Sequence, residues 1–190
     1  MLKNILLCGV GGQGVLLAAK LIAHAAKNAG FRVFTNEIHG MAQRGGSVTA
    51  SVRFGDNVSA PLFPSGTADL LFSMEESEAL RNAHCLKKDG AAVIALQSVI
   101  PLTVTTGAAS WPDDMDARLK RVFPRADLCD CTAEARMLGN PKLANTILLG
   151  VLSRHLPEIP EECWRDALAL LMKKELFEIN CQAFKKGRTP

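Results

Sequence analysis

The stretch Asn4-Ile5-Leu6-Leu7-Cys8-Gly9-Val10-Gly11-Gly12-Gln13-Gly14-Val15-Leu16-Leu17-Ala18-Ala19 decides the fold of this chain. Asn4 to Gly9 reads as a buried strand. The chain then passes through closely spaced glycines into a helix, Gly12 to Ala29, that is apolar round most of its surface and ends at Gly30. Strand, glycine turn and helix in that order form the layout of a βα phosphate-binding turn. Glycines let the backbone turn tightly and approach a ligand, and the free N–H groups at the helix start, Gly12 to Val15, attract negative charge. Gly9, Gly11, Gly12, Gln13 and Gly14 are therefore candidate cofactor-binding residues. Close packing of helix on strand is the other use of such a turn, and the two readings stand side by side. Dinucleotide-binding folds share the glycine pattern and add an acidic residue about 20 residues on, at the end of the second strand, to hold the ribose hydroxyls. Glu37 stands near that place.

Beyond the first helix, Phe31 to Glu37 reads as a second strand. Ser47 to Phe54 reads as a third, with Val48, Ala50, Val52 and Phe54 alternating against Ser47, Thr49, Ser51 and Arg53. The segment His39 to Gly46 between them is too short for a crossover helix and too polar for a core. It is expected to be an exposed loop joining antiparallel strands. An apolar strand follows at Asp69 to Met74, and Glu75-Glu76-Ser77-Glu78 opens a helix with its acids in the first turn, where the dipole favours them. Ala91 to Leu96 is a further strand, and Gln97 to Pro112 is expected to hold a loop and an edge strand. Helices are expected at Asp113 to Val122 and at Thr132 to Leu138, the latter capped by its threonine, with a short strand at Ala126 to Asp130 between them. Leu143, Ile147, Leu148, Val151 and Leu152 make an apolar helical stripe. Pro160 starts one long last helix carrying Trp164, Leu168, Leu171 and Ile179. This order predicts an α/β fold: a three-layer α/β/α sandwich on a Rossmann-like mixed sheet, helical in its C-terminal part from about residue 132, with residues 1–190 forming one domain.

Composition narrows the function classes. A chain of 190 residues buries a sizeable core and excludes a large multidomain enzyme. The net charge of +3 is spread along the chain and only 5% of residues are aromatic, so nucleic acid is not an expected partner. The apolar run Ile5 to Cys8 is too short for a signal-peptide core, and no run approaches the length of a bilayer span. A cytoplasmic protein away from membranes is the expectation. The six cysteines include no Cys-x-x-Cys pair, so no metal site is expected, and most should be buried, reduced thiols. In Cys129-Asp130-Cys131, strand alternation should point the two thiols to opposite faces.

Gly14 is followed by Val15 and Leu16 rather than Lys and Ser or Thr, which argues against nucleotide hydrolysis. Glu37, His39, Gln43 and Arg44 share one polar stretch, and Gly45 and Gly46 keep the surroundings of Arg44 open. A guanidinium there clamps a carboxylate or phosphate through paired hydrogen bonds, or else bridges to Glu37 or caps a helix. His39 is a candidate for direct chemistry without a persuasive nucleophile beside it, whereas His24, His84 and His155 read as structural.

Gly9-Val10-Gly11-Gly12-Gln13-Gly14-Val15, taken with Glu37-Ile38-His39-Gly40-Met41-Ala42-Gln43-Arg44-Gly45-Gly46-Ser47-Val48, resembles the gamma subunit or domain of 2-oxoacid:ferredoxin oxidoreductases. Within that group the second string is most similar to the small, beta subunit of indolepyruvate ferredoxin oxidoreductases. The resemblance continues more faintly at Asp69 to Glu75, Asn145 to Gly150 and Asn180 to Gly187, and is weakest from Gln97 to Cys131. It implies a subunit, inactive alone, of an enzyme that oxidatively decarboxylates 2-oxoacids such as arylpyruvates. Electrons pass to ferredoxin and the acyl group to coenzyme A. Thiamine diphosphate, magnesium and the iron–sulfur clusters are then expected in a large alpha subunit. The glycine turn and the loop formed by Glu37, His39, Gln43, Arg44, Gly45 and Gly46 would face substrate, coenzyme A or that partner, with His39 and Arg44 as the catalytic candidates. A homodimer of the isolated chain is a further expectation. The alternative is a free-standing Rossmann-like nucleotide-binding domain.

Overall fold

The computed structural model describes residues 1–39, 45–56 and 58–189, the side chains of His39 and Leu102 excepted. The first strand, β1 (Leu2–Val10), leads into helix α1 (Val15–Asn28). β2 (Arg32–His39) and β3 (Ser47–Gly55) follow, and then β4 (Ala68–Ser73), α2 (Glu76–Asn82) and β5 (Leu86–Ala95). The second half holds α3 (Leu102–Thr105), α4 (Met115–Val122), β6 (Ala126–Cys129), α5 (Cys131–Met137), α6 (Ala144–Ser153), α7 (Glu161–Leu171) and α8 (Phe177–Arg188). The six strands form one mixed sheet in the order β2-β3-β1-β4-β5-β6. β3 runs antiparallel to both of its neighbours, while β1, β4, β5 and β6 are mutually parallel. The expected antiparallel pairing of β2 with β3 is present, with Arg32 opposite Gly55 and His39 opposite Val48.

Successive side chains of the central strands go to opposite faces, and each face has its own cover. Leu70, Phe72, Ala91 and Val93 join Ile5, Leu7 and Val52 in a large core with α1, α6, α7 and α8. Leu71, Ala92 and Ile94 join Cys8 in a smaller core with Ala79 of α2 and Leu119 of α4. The result is the expected three-layer α/β/α arrangement. Helix α1 buries Val15, Ala18, Ala19, Leu21, Ile22, Ala25 and Ala26. Its alanines let the helix lie close on the sheet, while fully burying Leu21 and Ile22 stabilises the contact by about 1.5–3 kcal/mol each. The helix ends where Phe31 N donates to Ala26 O (3.1 Å), with Gly30 at φ 88°, the left-handed stop that its glycine signals.

Four expectations are corrected. The segment after β5 holds no edge strand among the described residues. Pro101 instead opens the short helix α3, its carbonyl accepting from the N–H groups of Val104 (3.0 Å) and Thr105 (3.1 Å), and β6 is the outer strand on that side. Helix α5 is capped by Asp130 rather than Thr132: the Asp130 carboxylate accepts from Ala133 N at 2.9 Å. The single last helix is two, separated by extended backbone at Met172 and Lys173. The break folds α8 back so that Phe184 meets Trp164, ring centroids 5.5 Å apart. Lastly, β6 ends at Cys129 and Cys131 already belongs to α5, so strand alternation does not govern the pair and the two sulfurs lie together, 2.9 Å apart. No helix among the described residues is long and apolar enough to cross a membrane.

Candidate functional site

The glycine turn leaves the C-terminal end of β1, the strand at which the sheet changes from antiparallel to parallel neighbours. Open α/β sheets carry ligands in crevices at such ends. Gln13 closes the turn twice: its N–H donates to Val10 O (3.1 Å), and its side-chain Oε1 accepts from Val10 N (2.7 Å). Gly12 and Gly14 sit at φ 103° and 81°, which L side chains rarely adopt. Gly14 is the N-cap of α1 and has no side chain to bond the orphan N–H groups behind it. At Gly9 a side chain would run into Gln13 and Val15.

The two sequence motifs meet through their backbones. Gly11 N donates to Gly46 O (2.8 Å), and Gly45 N reaches Gly11 O at 3.4 Å. The next residue, Ser47, donates its hydroxyl to Glu78 Oε2 (2.6 Å), so the exit of the polar loop is fixed on both sides. Gln43 and Arg44 lie outside the described residues, as does the His39 side chain, although the His39 backbone closes β2. Glu37 is exposed on β2, and β3 separates β2 from β1. In a dinucleotide site the acidic residue sits on the strand beside the glycine strand. Here a whole strand intervenes, which places Glu37 roughly 10 Å away in the sheet plane, so the ribose-binding role is corrected.

A third element holds the turn. Asn145 of α6 donates Nδ2 to Gln13 O (3.1 Å) and Gly14 O (3.0 Å). The turn, α5 and α6 enclose a cleft of about 510 Å³ lined by Gly12, Gln13, Gly14, Met74, Gln97, Thr132, Arg136, Lys142 and Asn145. In its wall Gln13 Nε2 and Asn145 Oδ1 are buried with no hydrogen-bond partner among the described residues, which is costly in a finished core. Leu17, Met74, Pro141 and Ala144 make much of the lining apolar, and the exposed residues Arg136 and Lys142 add two cationic side chains to it. On the other side of the turn, Val10, Val15, Leu16 and Val48 line an apolar cleft of about 390 Å³.

The acidic helix start does more than complement a dipole. Glu75 is fully buried, and its carboxylate accepts from Glu78 N (2.7 Å), Ser77 Oγ (2.7 Å) and Val99 N (3.1 Å), capping α2 and tying down the segment after β5. Glu76 accepts from Ser98 Oγ, and Glu78 accepts from Arg81 Nε as well as from Ser47. Beneath them, burial pushes the Cys8 thiol up to about 12. Sequence reasoning missed Arg136 and Lys142 and named Asn145 only within a resembling segment. A signal for Asn145 was available: it is a polar residue in the otherwise almost wholly apolar run Leu143 to Leu152, where every residue is buried and a side-chain amide needs partners.

The family model for pyruvate ferredoxin/flavodoxin oxidoreductase matches residues 4–189. The chain is 39% identical over 190 residues to the indolepyruvate oxidoreductase subunit IorB of Archaeoglobus fulgidus, covering 98% of this chain and 94% of that protein. It is 38% identical to the subunit of the same name from Thermococcus kodakarensis, covering 97% and 93%. Among solved structures, the pyruvate oxidoreductase subunit PORC of Thermotoga maritima superposes with a TM-score of 0.73 at 21% identity, over 98% of this chain and 94% of that one. A 2-oxoglutarate:ferredoxin oxidoreductase from Magnetococcus marinus, with 2-oxoglutarate, coenzyme A and succinyl-CoA bound, superposes with a TM-score of 0.72 at 21% identity. There this chain corresponds to 30% of the longer polypeptide. The chain therefore belongs to the pyruvate ferredoxin/flavodoxin oxidoreductase family.

Proposed function

We propose that this chain is the small subunit of an indolepyruvate-type 2-oxoacid:ferredoxin oxidoreductase, inactive alone, working in the cytoplasm against a large subunit. The observation that carries the reading is the junction of the two motifs: glycine turn and polar loop are bonded at Gly11–Gly46 and held from behind by Asn145. The relatives' names, two of them indolepyruvate oxidoreductase subunits, give the substrate class. In this reading thiamine diphosphate, magnesium and the iron–sulfur clusters belong to the large subunit, which passes electrons to ferredoxin. Among the described residues of this chain, no group of His, Cys, Asp and Glu side chains is arranged to hold a metal ion.

This chain's part is to bind and orient. The N–H groups of Gly12, Gly14 and Val15, with Arg136 and Lys142, offer positive charge to the phosphates of coenzyme A. Arg44 and His39, from the same polar stretch of sequence, would act on the substrate carboxylate or on the partner surface. As one domain, residues 1–190 complete the cleft from outside.

The test is to co-express the chain with its large partner without oxygen. Viologen reduction by indolepyruvate is then measured with and without coenzyme A, in the wild type and in Arg136→Ala/Lys142→Ala. The expected result is activity only when both subunits are present, with a raised KM for coenzyme A and little change in KM for the 2-oxoacid in the double variant. Full activity of the large subunit alone refutes the subunit reading. An unchanged KM for coenzyme A in an assembled variant refutes the assignment of the cleft.

A further inference from the structure

Cys129 is the last residue of β6, the outer strand of the sheet, and Cys131 is the first residue of α5. Between them Asp130 bends the chain while its carboxylate caps the helix. The bend swings the Cys131 side chain back, so that its S–H donates to the Cys129 sulfur at 2.9 Å. Both are free thiols. A disulfide bond is about 2.05 Å long, so covalent closure requires the sulfurs to approach by about 0.9 Å. The geometry therefore already resembles that of an attacking thiol with its resolving partner.

The two thiols differ in access. Cys131 is buried, whereas Cys129 is half-exposed and lines a cleft of about 350 Å³ together with Arg154 and Lys186. A small reagent can therefore reach Cys129 first. The hydrogen bond from Cys131 also holds the Cys129 thiol below its usual range, while the same bond and burial push Cys131 up. This is the division of labour found in dithiol chemistry, an accessible thiol that ionises more readily than its buried neighbour. Arg154 and Lys186 are engaged by Asp127 (3.2 Å) and Glu134 (3.0 Å), so the mouth of the cleft is close to neutral and favours no charged reagent.

We propose that Cys129 and Cys131 are a redox-active dithiol, in which Cys129 attacks a low-molecular-weight disulfide and Cys131 resolves the product into an intrachain disulfide. The Cys129 sulfur displaces one sulfur of the reagent and forms a mixed disulfide. The Cys131 sulfur then attacks Cys129 and expels the second reagent thiolate. Two electrons pass from the protein sulfurs to the reagent, and the two thiol protons leave on the two reagent thiols. Reduction by excess dithiol runs the sequence backwards. The pair sits at the start of the helix whose Thr132 and Arg136 line the cleft beside the glycine turn.

The test treats the reduced full chain with oxidised glutathione without oxygen. The reaction is quenched with acid, the remaining thiols are alkylated after unfolding, and the tryptic peptide Ala126–Arg136, which contains these two cysteines and no other, is weighed. The expected wild-type peptide is unalkylated and lighter than the dithiol form by two hydrogens, and dithiothreitol restores both thiols. Cys131→Ser should retain one glutathionyl group on Cys129, formed at least about tenfold faster than at Cys85 or Cys181. Cys129→Ser should acquire none on Cys131. A wild-type peptide recovered doubly alkylated, or one that keeps glutathione on Cys129 without closure, overturns the proposal, and it does so whether or not either variant folds.

Discussion

Replacing Asn145 by Ala tests whether the glycine turn depends on an amide supplied from the C-terminal half. The substitution removes two hydrogen bonds to the Gln13 and Gly14 carbonyls at a position only 6% exposed. Hydrogen bonds of this kind contribute about 0.5–1.5 kcal/mol each, for a sum of about 1–3 kcal/mol. The Gly14 carbonyl keeps the N–H of Ala18 at 3.0 Å, which places the expected loss in the lower half of that range, about 1–2 kcal/mol. For a chain of this size the melting temperature should fall by about 2–8 °C. Asn145→Asp keeps the volume but replaces the donor by a charged acceptor facing two carbonyl oxygens, so it should be less stable than the alanine variant. The assay is thermal unfolding of the full chain, with amide hydrogen exchange measured from Gly12 to Val15. A melting temperature within about 1 °C of wild type, with unchanged exchange in that segment, refutes the reasoning.

Gly14→Ala imposes φ 81° on an L residue and brings the new Cβ to 3.1 Å from Asn145 Nδ2. A loss of about 1–2 kcal/mol in urea unfolding is expected, and wild-type stability would contradict it. Gly187→Ala places a Cβ against the carbonyl of Ile147 where α8 crosses α6. Forcing that crossing apart should cost about 1–3 kcal/mol, read as a lowered denaturation midpoint. Cys8 should resist iodoacetamide in the native chain at pH 8 and react only on unfolding, because its thiol is raised from 9.0 to about 12 by burial. The same shift sets the sign of a pH effect. The unfolded state releases this proton above about pH 9 while the folded state holds it, so the contribution is complete below pH 9 and is lost by about 1.4 kcal/mol per pH unit up to about pH 12. Cys8→Ala should therefore lose stability less steeply between pH 9 and 11 than wild type in denaturant titrations.

The legible parts of the fold were those set by local periodicity. The first helix, apolar round most of its surface and stopped at Gly30, the alternation from Ser47 to Phe54 and the apolar run from Leu143 to Leu152 lie where the pattern puts them, except that the helix starts at Val15 rather than Gly12 because the glycines before it form the turn. Tertiary events hid the rest. The break at Met172 and Lys173 carries no proline or glycine, and it becomes intelligible only once Phe184 is seen to need Trp164. Asp130 and Thr132 are both competent caps, and the end of β6 at Cys129 selected the earlier one. Glu37 fitted a dinucleotide pattern by spacing, because spacing along the chain does not reveal that β3 is inserted beside β1. The glycine turn and the residues Gly45 and Gly46 were legible as site elements, and the structure joins them. Asn145, Arg136 and Lys142 reach that turn from more than 120 positions away, a distance no local motif spans.

The hold of Asn145 on Gly14 spans 131 positions of sequence. During synthesis the strand, the turn and the first helix can pair locally, but the amide that fixes the turn is added 131 positions later. Contacts of such separation form late because the intervening loop must first be closed. A nascent chain therefore displays the glycines without a finished turn until the segment carrying Asn145 has been made and has docked. That order makes the state of the turn a report on whether α6 has reached its place.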